Sequence, residues 1–182
     1  MDEIPYGRGS GEVLPDGTFQ VKGLLRDKYT LNLFAPQRGS YLKAVRLGGR
    51  DLPDWEVDLT TAASEVHVEL VVSMRAASVE GLATDEDRPV PGAWVLLVSD
   101  FARAGRKREW YTAVADQNGQ FRFGSLAPGK YKVYAFDEHW PSFLRDLETL
   151  QPFESQATAV TLEEGERKVV RAAVLPSAEP LR

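Results

Sequence analysis

Residues 116–131 read DQNGQFRFGSLAPGKY and contain two turn signals with a short apolar strand between them. Asn118-Gly119 is a dipeptide that closes tight β-hairpins, because both residues tolerate the positive φ angles of such a turn. Phe121 and Phe123 alternate along the intervening strand, which is the pattern of a half-buried β-strand. A second turn at 127–129 leads into the next apolar segment. Turn signals at this spacing predict an all-β domain.

The same alternation continues on both sides of this segment. The predicted strands are 77–81, 93–99, 110–115, 121–123, 131–135, 160–162 and 168–175. Seven short strands separated by turns every eight to twelve residues predict an antiparallel β-sandwich. One segment has another period: the apolar residues that follow Pro141 are spaced by three and four, which predicts a short helix over 141–149.

The chain also repeats itself. Residues 14–29 read LPDGTFQVKGLLRDKY and align without a gap on 116–131, with Asp16 and Asn118 standing 102 residues apart. The repeat predicts two units, 1–74 and 75–176, followed by a tail at 177–182. A strand at Tyr41–Leu47 with a Gly48-Gly49 turn replaces the short helix in the first copy.

A complete first copy would begin about 27 residues before Met1, so the first unit is expected to lack two strands. An unpaired sheet edge is therefore expected near residues 8–34. The first unit would then be loosely ordered, or it would complete its sheet by pairing with another copy.

Composition excludes several classes of protein. A net charge of −5 argues against nucleic-acid binding, which depends on a surplus of Lys and Arg. The absence of cysteine excludes disulfides, thiol nucleophiles and cysteine zinc sites. The longest apolar runs are too short to span a membrane, and the amino terminus has no signal-peptide pattern.

The motifs as a set resemble the carboxypeptidase regulatory-like family. The residues that carry the resemblance are Val90-Pro91-Gly92-Ala93, 116–121, 125–131 and Leu162–Glu166. The resemblance implies a Greek-key sandwich of prealbumin (transthyretin-like) type in two tandem units, often grouped with carbohydrate-binding-like folds. It also implies a bacterial extracytoplasmic location, and a module whose partners are neighbouring domains of a parent protein. These motifs mark turns and core positions, so they carry no chemistry of their own.

The aromatic residues are the strongest candidates for a ligand site. If Tyr131 and Val133 face the core, Tyr134 must face the opposite side of the sheet. An outer aromatic face is predicted, and its candidate residues are Trp94, Tyr134, Phe136, Trp140 and Trp110. Such a face could stack on sugar rings, but a domain interface or a cover from the 141–149 helix is favoured over a sugar site.

Two further sites are weighed against simpler interpretations. Asp116 and Asn118 resemble the start of a calcium loop, but the late bidentate carboxylate is missing, so a turn is favoured and metal binding is a weak alternative. One predicted loop is basic and contains Arg103, Arg106, Lys107 and Arg108. This loop is interpreted as a solvated surface rather than a contact for an anionic partner.

The catalytic candidates are also rejected. Asp137, His139 and Ser142 are too close along the chain for a catalytic triad. His67 alternates with Val66 and Val68 and is predicted to point outward. An isopeptide bond of the adhesin type is excluded because the first and last strands lack the lysine and the acceptor.

The leading hypothesis is therefore a non-catalytic structural or binding module of a larger secreted or cell-envelope protein, without a cofactor. The alternative is carbohydrate binding through the outer aromatic face. Enzymatic activity is expected only from other parts of a parent protein.

Overall fold

The computed structural model describes residues 9–33, 38–52, 55–62, 65–99, 110–137 and 147–176. The strands are β1 (Lys28–Thr30), β2 (Tyr41–Leu47), β3 (Arg50–Asp51), β4 (Glu56–Asp58), β5 (Val68–Ser73), β6 (Ala77–Asp85), β7 (Arg88–Pro89), β8 (Trp94–Ser99), β9 (Trp110–Val114), β10 (Gln120–Leu126), β11 (Gly129–Phe136), β12 (Thr158–Leu162) and β13 (Arg167–Leu175). One 3-10 helix spans Leu147–Gln156. The predicted all-β fold with one short helix is confirmed.

Contacts divide the chain into two compact units. Residues 9–33 and 44–71 belong to the smaller unit, whereas 38–43 and 72–176 belong to the larger one. The chain therefore passes from one unit to the other within β2 and again within β5. The last residues, 177–182, lie outside the described part of the chain.

The larger unit contains an 8-stranded sheet in the order β10-β6-β13-β11-β8-β9, with β12 paired to β11 and β7 to β6. The sheet folds over, so that β6 and β10 face β8, β11 and β12 across one core. β13 joins the two halves, since it runs parallel to β6 over Arg167–Ala173 and parallel to β11 at Val174–Leu175. The result is a β-sandwich in which these two parallel pairings accompany the predicted antiparallel ones.

The core of this sandwich follows from strand alternation. Tyr131, Val133 and Ala135 on β11 are at most 3% exposed and face the inner side, as predicted. Gly81 on β6 faces the ring of Phe121, and a Cβ atom at that position would lie 2.2 Å from Cζ of the ring. Glycine is therefore required at this position by the aromatic ring that covers it.

A second apolar cluster lies on the opposite face of β8 and β11. It is formed by Leu96, Val98, Tyr134, Phe136, Leu150 and Leu175, with Phe153 and Ala157 packed against it. Leu150 and Phe153 belong to the 3-10 helix, which contains Pro152, overlaps the predicted helix 141–149 at 147–149 and continues to 156. The periodicity marked only the beginning of this segment, because its later apolar residues follow a 3-10 rather than an α-helical spacing. Residues 141–146 lie outside the described chain.

Two short sheets contribute strands to the smaller unit, which includes residues 44–47 of β2 and 68–71 of β5. β1 pairs antiparallel with β4, and β2 lies between β3 and β5. The predicted hairpin after β2 is present, with Gly48 and Gly49 at φ 57° and 77°. Among the described residues of this unit, the buried apolar ones are Val45, Trp55 and Val57.

The same hydrogen bonds occur within each of the two units, at positions 102 residues apart. The Leu14 amide donates to Thr18 O and the Gly17 amide to Leu14 O, and the equivalent bonds join 116 with 120 and 119 with 116. The Tyr29 hydroxyl donates to Leu25 O, as the Tyr131 hydroxyl does to Ala127 O. Tyr29 stands opposite Val57, just as Tyr131 stands opposite Val160. The turn and the tyrosine of the repeated sequence thus have the same hydrogen bonds in both units.

Candidate functional site

The outer face of the β9-β8-β11 part of the sheet carries the aromatic residues that the sequence singled out. Strand register places Trp94 between Val114 on β9 and Phe136 on β11. The next row is Thr112, Leu96 and Tyr134, and the third is Trp110, Val98 and Lys132. Paired residues on neighbouring strands project from the same face, so these three rows form one surface.

The 3-10 helix covers the β11 side of that surface. Tyr134 and Phe136 are only 4% and 1% exposed, at the place where a domain interface or a helical cover was favoured over an open sugar-binding face. The Phe136 ring meets the Phe153 ring edge-on, with centroids 5.5 Å apart and an interplanar angle of 88°. Lys132 also forms an ion pair with Glu154 of the helix. Tyr134 and Phe136 thus belong to a second core, and their faces are not accessible to a sugar ring.

The β9 side of the same surface is open. Trp110 is 47% exposed and Val114 is 53% exposed, whereas Trp94 in the next strand is half-buried. β9 is the last strand in the sheet order. Trp140, the fifth predicted aromatic residue, lies outside the described residues. On this face, the accessible aromatic side chains among the described residues are therefore Trp110 and part of Trp94.

Asp116 acts as a turn residue. Its Oδ1 accepts hydrogen bonds from the backbone amides of Asn118 at 2.8 Å and Gln120 at 2.9 Å. Gly119 has a φ of 75°, whereas Asn118 does not have the positive φ expected from the sequence. The Asp116 carboxylate stabilises the turn instead, by accepting hydrogen bonds from two backbone amides as in an Asx turn. Within the described ranges, no cluster of three or more His, Cys, Asp or Glu residues is placed to bind a metal ion.

The other predicted candidates are distributed as follows. His67 is exposed, and its neighbours Val66 and Val68 are half-buried, in agreement with the predicted alternation. Asp137 is described and exposed, but His139 and Ser142 lie outside the described residues. So do the four basic residues of the predicted loop, Arg103, Arg106, Lys107 and Arg108. In the described part of the chain, no helix is long and apolar enough to cross a membrane.

The sequence did not predict a polar cluster around Glu164 in the larger unit. The Glu164 carboxylate accepts hydrogen bonds from Ser73 Oγ at 2.7 Å, Tyr41 Oη at 2.9 Å and Lys43 Nζ at 3.4 Å. Arg75 is the other cation nearby, with Nη1 3.8 Å from the carboxylate. The hydrogen bond from Ser73, then that from Tyr41, and the charge of Lys43 lower the pKa of Glu164 to about 2. The partners are up to 123 residues away along the chain, which is why no local pattern indicated the cluster.

A shallow groove crosses the outer face of β6, β10 and β13. Its lining includes Glu80, Arg122 and Val169. Glu80 binds Arg122 at 3.4 Å and also binds Arg167, so these charges are paired with one another. Val169 is 78% exposed. The groove is thus a polar surface with two exposed apolar residues, Val114 and Val169.

Comparison with known proteins identifies distant structural similarity. No protein-family model matches the sequence, and no curated protein sequence matches it. A DUF3823 family protein from Parabacteroides merdae is similar, with 16% identity, a TM-score of 0.38, and coverage of 56% of this chain and 46% of that one. A proposed carbohydrate-binding protein from Pseudomonas aeruginosa is 13% identical, with a TM-score of 0.33 and coverage of 53% of this chain and 87% of that one.

The major pilin subunit of Bacillus cereus is also similar, with 13% identity, a TM-score of 0.35, and coverage of 92% of this chain and 77% of that one. The chain spans less than half the length of the Parabacteroides protein.

Proposed function

We propose that this chain is a non-catalytic structural and binding module, built from two copies of a carboxypeptidase regulatory-like unit in a larger secreted or cell-envelope protein. The repeated hydrogen bonds of the turn and tyrosine motif carry this proposal. The Tyr29 and Tyr131 hydroxyls bind backbone carbonyls four residues earlier, and Asp116 binds two backbone amides. The most distinctive polar residues of the sequence thus serve the fold.

The polar cluster at Glu164 fits a structural role. A general base works best when its pKa lies near the working pH, because it must both accept and release a proton. The pKa of Glu164 is about 2, so its carboxylate stays ionised at neutral pH and is a weak base. Its hydrogen bonds to Tyr41 and Ser73 join the segment before β6 to the turn between β12 and β13. We assign this cluster the role of holding that segment in place.

The location and the partners follow from the same proposal. Residues 90–93, 116–121 and 125–131 carry the family resemblance, and members of that family occur beside other domains of extracytoplasmic proteins. The partners we propose are neighbouring domains of the same parent protein. Binding of a glycan is the second candidate below.

Turnover assays on the purified chain test the absence of catalysis. We expect no hydrolysis in a panel of peptide, ester and glycoside substrates. The matched variants are Glu164→Gln, which removes the ionised carboxylate, and Asp116→Asn, which changes a turn carboxylate. Turnover that survives treatment with a chelator and is lost only in the Glu164→Gln variant would overturn the proposal.

Carbohydrate binding is the second candidate, and the exposure of Trp110 favours it. Trp110 lies on the same face as Trp94, and aromatic rings at a sheet surface can stack on the apolar faces of sugars. A glycan array probed with the wild type, Trp110→Ala and Val169→Ala tests this. Binding that is lost in Trp110→Ala and kept in Val169→Ala would support a sugar site. A specific sugar site should bind at glycan concentrations of about 1 mM, since a Kd of that size is already weak. Absence of binding at this concentration would refute the sugar site.

A further inference from the structure

Residues 18–24 of the smaller unit have the sequence of a sheet strand but are not paired as one. They correspond to β10, since Thr18 aligns with Gln120 and Leu24 with Leu126. β10 pairs with β6 from Gln120 to Leu126. Among the residues that the structure describes, 18–24 form only a single bridge, between Phe19 and Val13. Within its described residues, the smaller unit thus has the β10 sequence without a strand in the place of β6.

Without a strand in the place of β6, residues 18–24 should be less buried than β10, and they are. Phe121, Phe123 and Leu126 are at most 5% exposed. Their counterparts Phe19, Val21 and Leu24 are only half-buried. The copies share the turn and the tyrosine hydrogen bonds, so the difference lies in what covers the strand.

One side of this segment is already covered by the chain itself. A Cβ atom at Gly9 would lie 2.6 Å from side-chain atoms of both Val21 and Leu24, and one at Gly11 would lie 2.4 Å from Gln20 O. Gly9 and Gly11 correspond to Tyr111 and Ala113 of β9. The segment 9–11 therefore takes the place of β9, and the position of β6 is the one to be filled.

The larger unit shows what chemistry fits that position. β6 places Ala77, Val79 and Ala83 in the core, and Gly81 directly opposite Phe121. The Phe121 ring fills the space that a side chain at position 81 would need. A strand that pairs with 18–24 must therefore carry small apolar side chains at alternate positions and glycine opposite Phe19.

The two copies differ in charge at this edge. Glu80 of β6 forms an ion pair with Arg122, whereas the residue that corresponds to Arg122 is Gln20. An acidic residue in the incoming strand would therefore lie near Gln20, and it could form a hydrogen bond there but no ion pair.

We propose that residues 18–24 are the acceptor edge for an extended segment of a partner polypeptide, which adds antiparallel in the place of β6. The partner segment has the chemistry of Ala77–Asp85, with glycine opposite Phe19. Addition of a strand to an exposed edge satisfies its backbone groups and buries alternate side chains, which is how β-augmentation provides both affinity and specificity. This inference rests on the proposed function, a module that acts by contact with other polypeptides.

The test uses the full chain and a synthetic peptide with the sequence of residues 76–85, AASVEGLATD. Hydrogen exchange measured by mass spectrometry reports protection of 18–24. We expect the saturating peptide to slow exchange there by at least about tenfold, because paired amides exchange only after local opening. A peptide with Gly81→Val is the matched control and should give no protection, since its side chain meets Phe19. The chain variant Phe19→Ala, which makes room for that side chain, should accept the Val peptide.

Three outcomes would overturn the proposal. One is no protection by the peptide, and another is equal protection by the two peptides. Protection of 18–24 that appears without peptide and grows with the concentration of the chain would mean that a second copy fills the edge. The turnover and glycan measurements do not involve 18–24, so failure of this inference is distinguishable from failure of the proposed function.

Discussion

Substitution of Gly81 tests whether the Phe121 ring specifies the inner face of the larger unit. In Gly81→Ala the new Cβ atom would lie 2.2 Å from Cζ of Phe121 and 2.7 and 2.8 Å from its two Cε atoms. Three atoms of one rigid ring are thus closer than van der Waals contact allows. Phe121 is 5% exposed and lies in the main core, so the ring can move only by displacing its neighbours.

The expected cost follows from two opposing effects. Overpacking of a core by a methyl group costs about 1–3 kcal/mol, and complete expulsion of the ring would approach the roughly 3–5 kcal/mol of a Phe→Ala change. Replacement of glycine by alanine in a strand contributes about 0.5–1 kcal/mol in the stabilising direction. The net expectation is a loss of about 2 kcal/mol in the free energy of unfolding. For a domain of this size, that loss lowers Tm by roughly 8–16 °C.

Urea unfolding followed by circular dichroism and by tryptophan fluorescence measures this change. Gly124→Ala is the matched control, because no atom lies within 4 Å of a Cβ at that position. It should be neutral or slightly stabilising. The double variant Gly81→Ala with Phe121→Leu should lose less than the sum of the two single variants, since the smaller side chain makes room for the methyl group. A Gly81→Ala variant as stable as Gly124→Ala would refute the argument.

Three other expectations concern acid stability, the cover of the aromatic face and one turn. The pKa of Glu164 is lowered from 4.5 to about 2, so the ionised carboxylate stabilises the fold fully above pH 4.5, and this stabilisation is lost as the pH falls towards 2. The Glu164→Gln variant should therefore lose less stability than the wild type as the pH falls through this range. Parallel stability–pH curves for the two proteins would contradict this expectation. Phe153→Ala should cost about 2 kcal/mol and increase binding of the dye ANS through exposure of Phe136, whereas unchanged ANS binding would show that the helix does not cover that ring. Glu86 has a φ of 50°, so Glu86→Gly should raise the free energy of unfolding by about 1 kcal/mol in urea titrations, and a loss of stability would count against strain at that residue.

The strands of the larger unit were predictable because each is encoded locally. Alternation placed Tyr131 and Val133 in the core, and the glycines at 119 and 48–49 marked turns that are present. Only the turn at 48–49 is a hairpin, because the turn at 119 joins β9 to β10, which pair with other strands. Both kinds of signal act over a few residues. They require no knowledge of which strands are neighbours.

The remaining features depend on residues that are distant along the chain. The alternation of Tyr134 and Phe136 away from the first core was predicted, but the second core that buries them needs Leu150 and Leu175. The hydrogen-bond partners of Glu164 come from residues 91 to 123 positions earlier. Neither arrangement has a period or a spacing, so neither can be found by analysis of local patterns.

The position of β13 has a consequence for synthesis of the protein on the ribosome. β13 is the last strand of the larger unit to be translated, yet it lies between β6, the first strand of the 8-stranded sheet, and β11. Until it emerges, β6 keeps an unpaired edge in the nascent chain, and so does the end of β11 at Ala135 and Phe136, because β12 pairs only with Gly129–Val133. Closure of the sheet must therefore wait for the end of the unit, and this long-range parallel pairing favours slow folding. In that interval the exposed edges are the part of the nascent protein most in need of a chaperone.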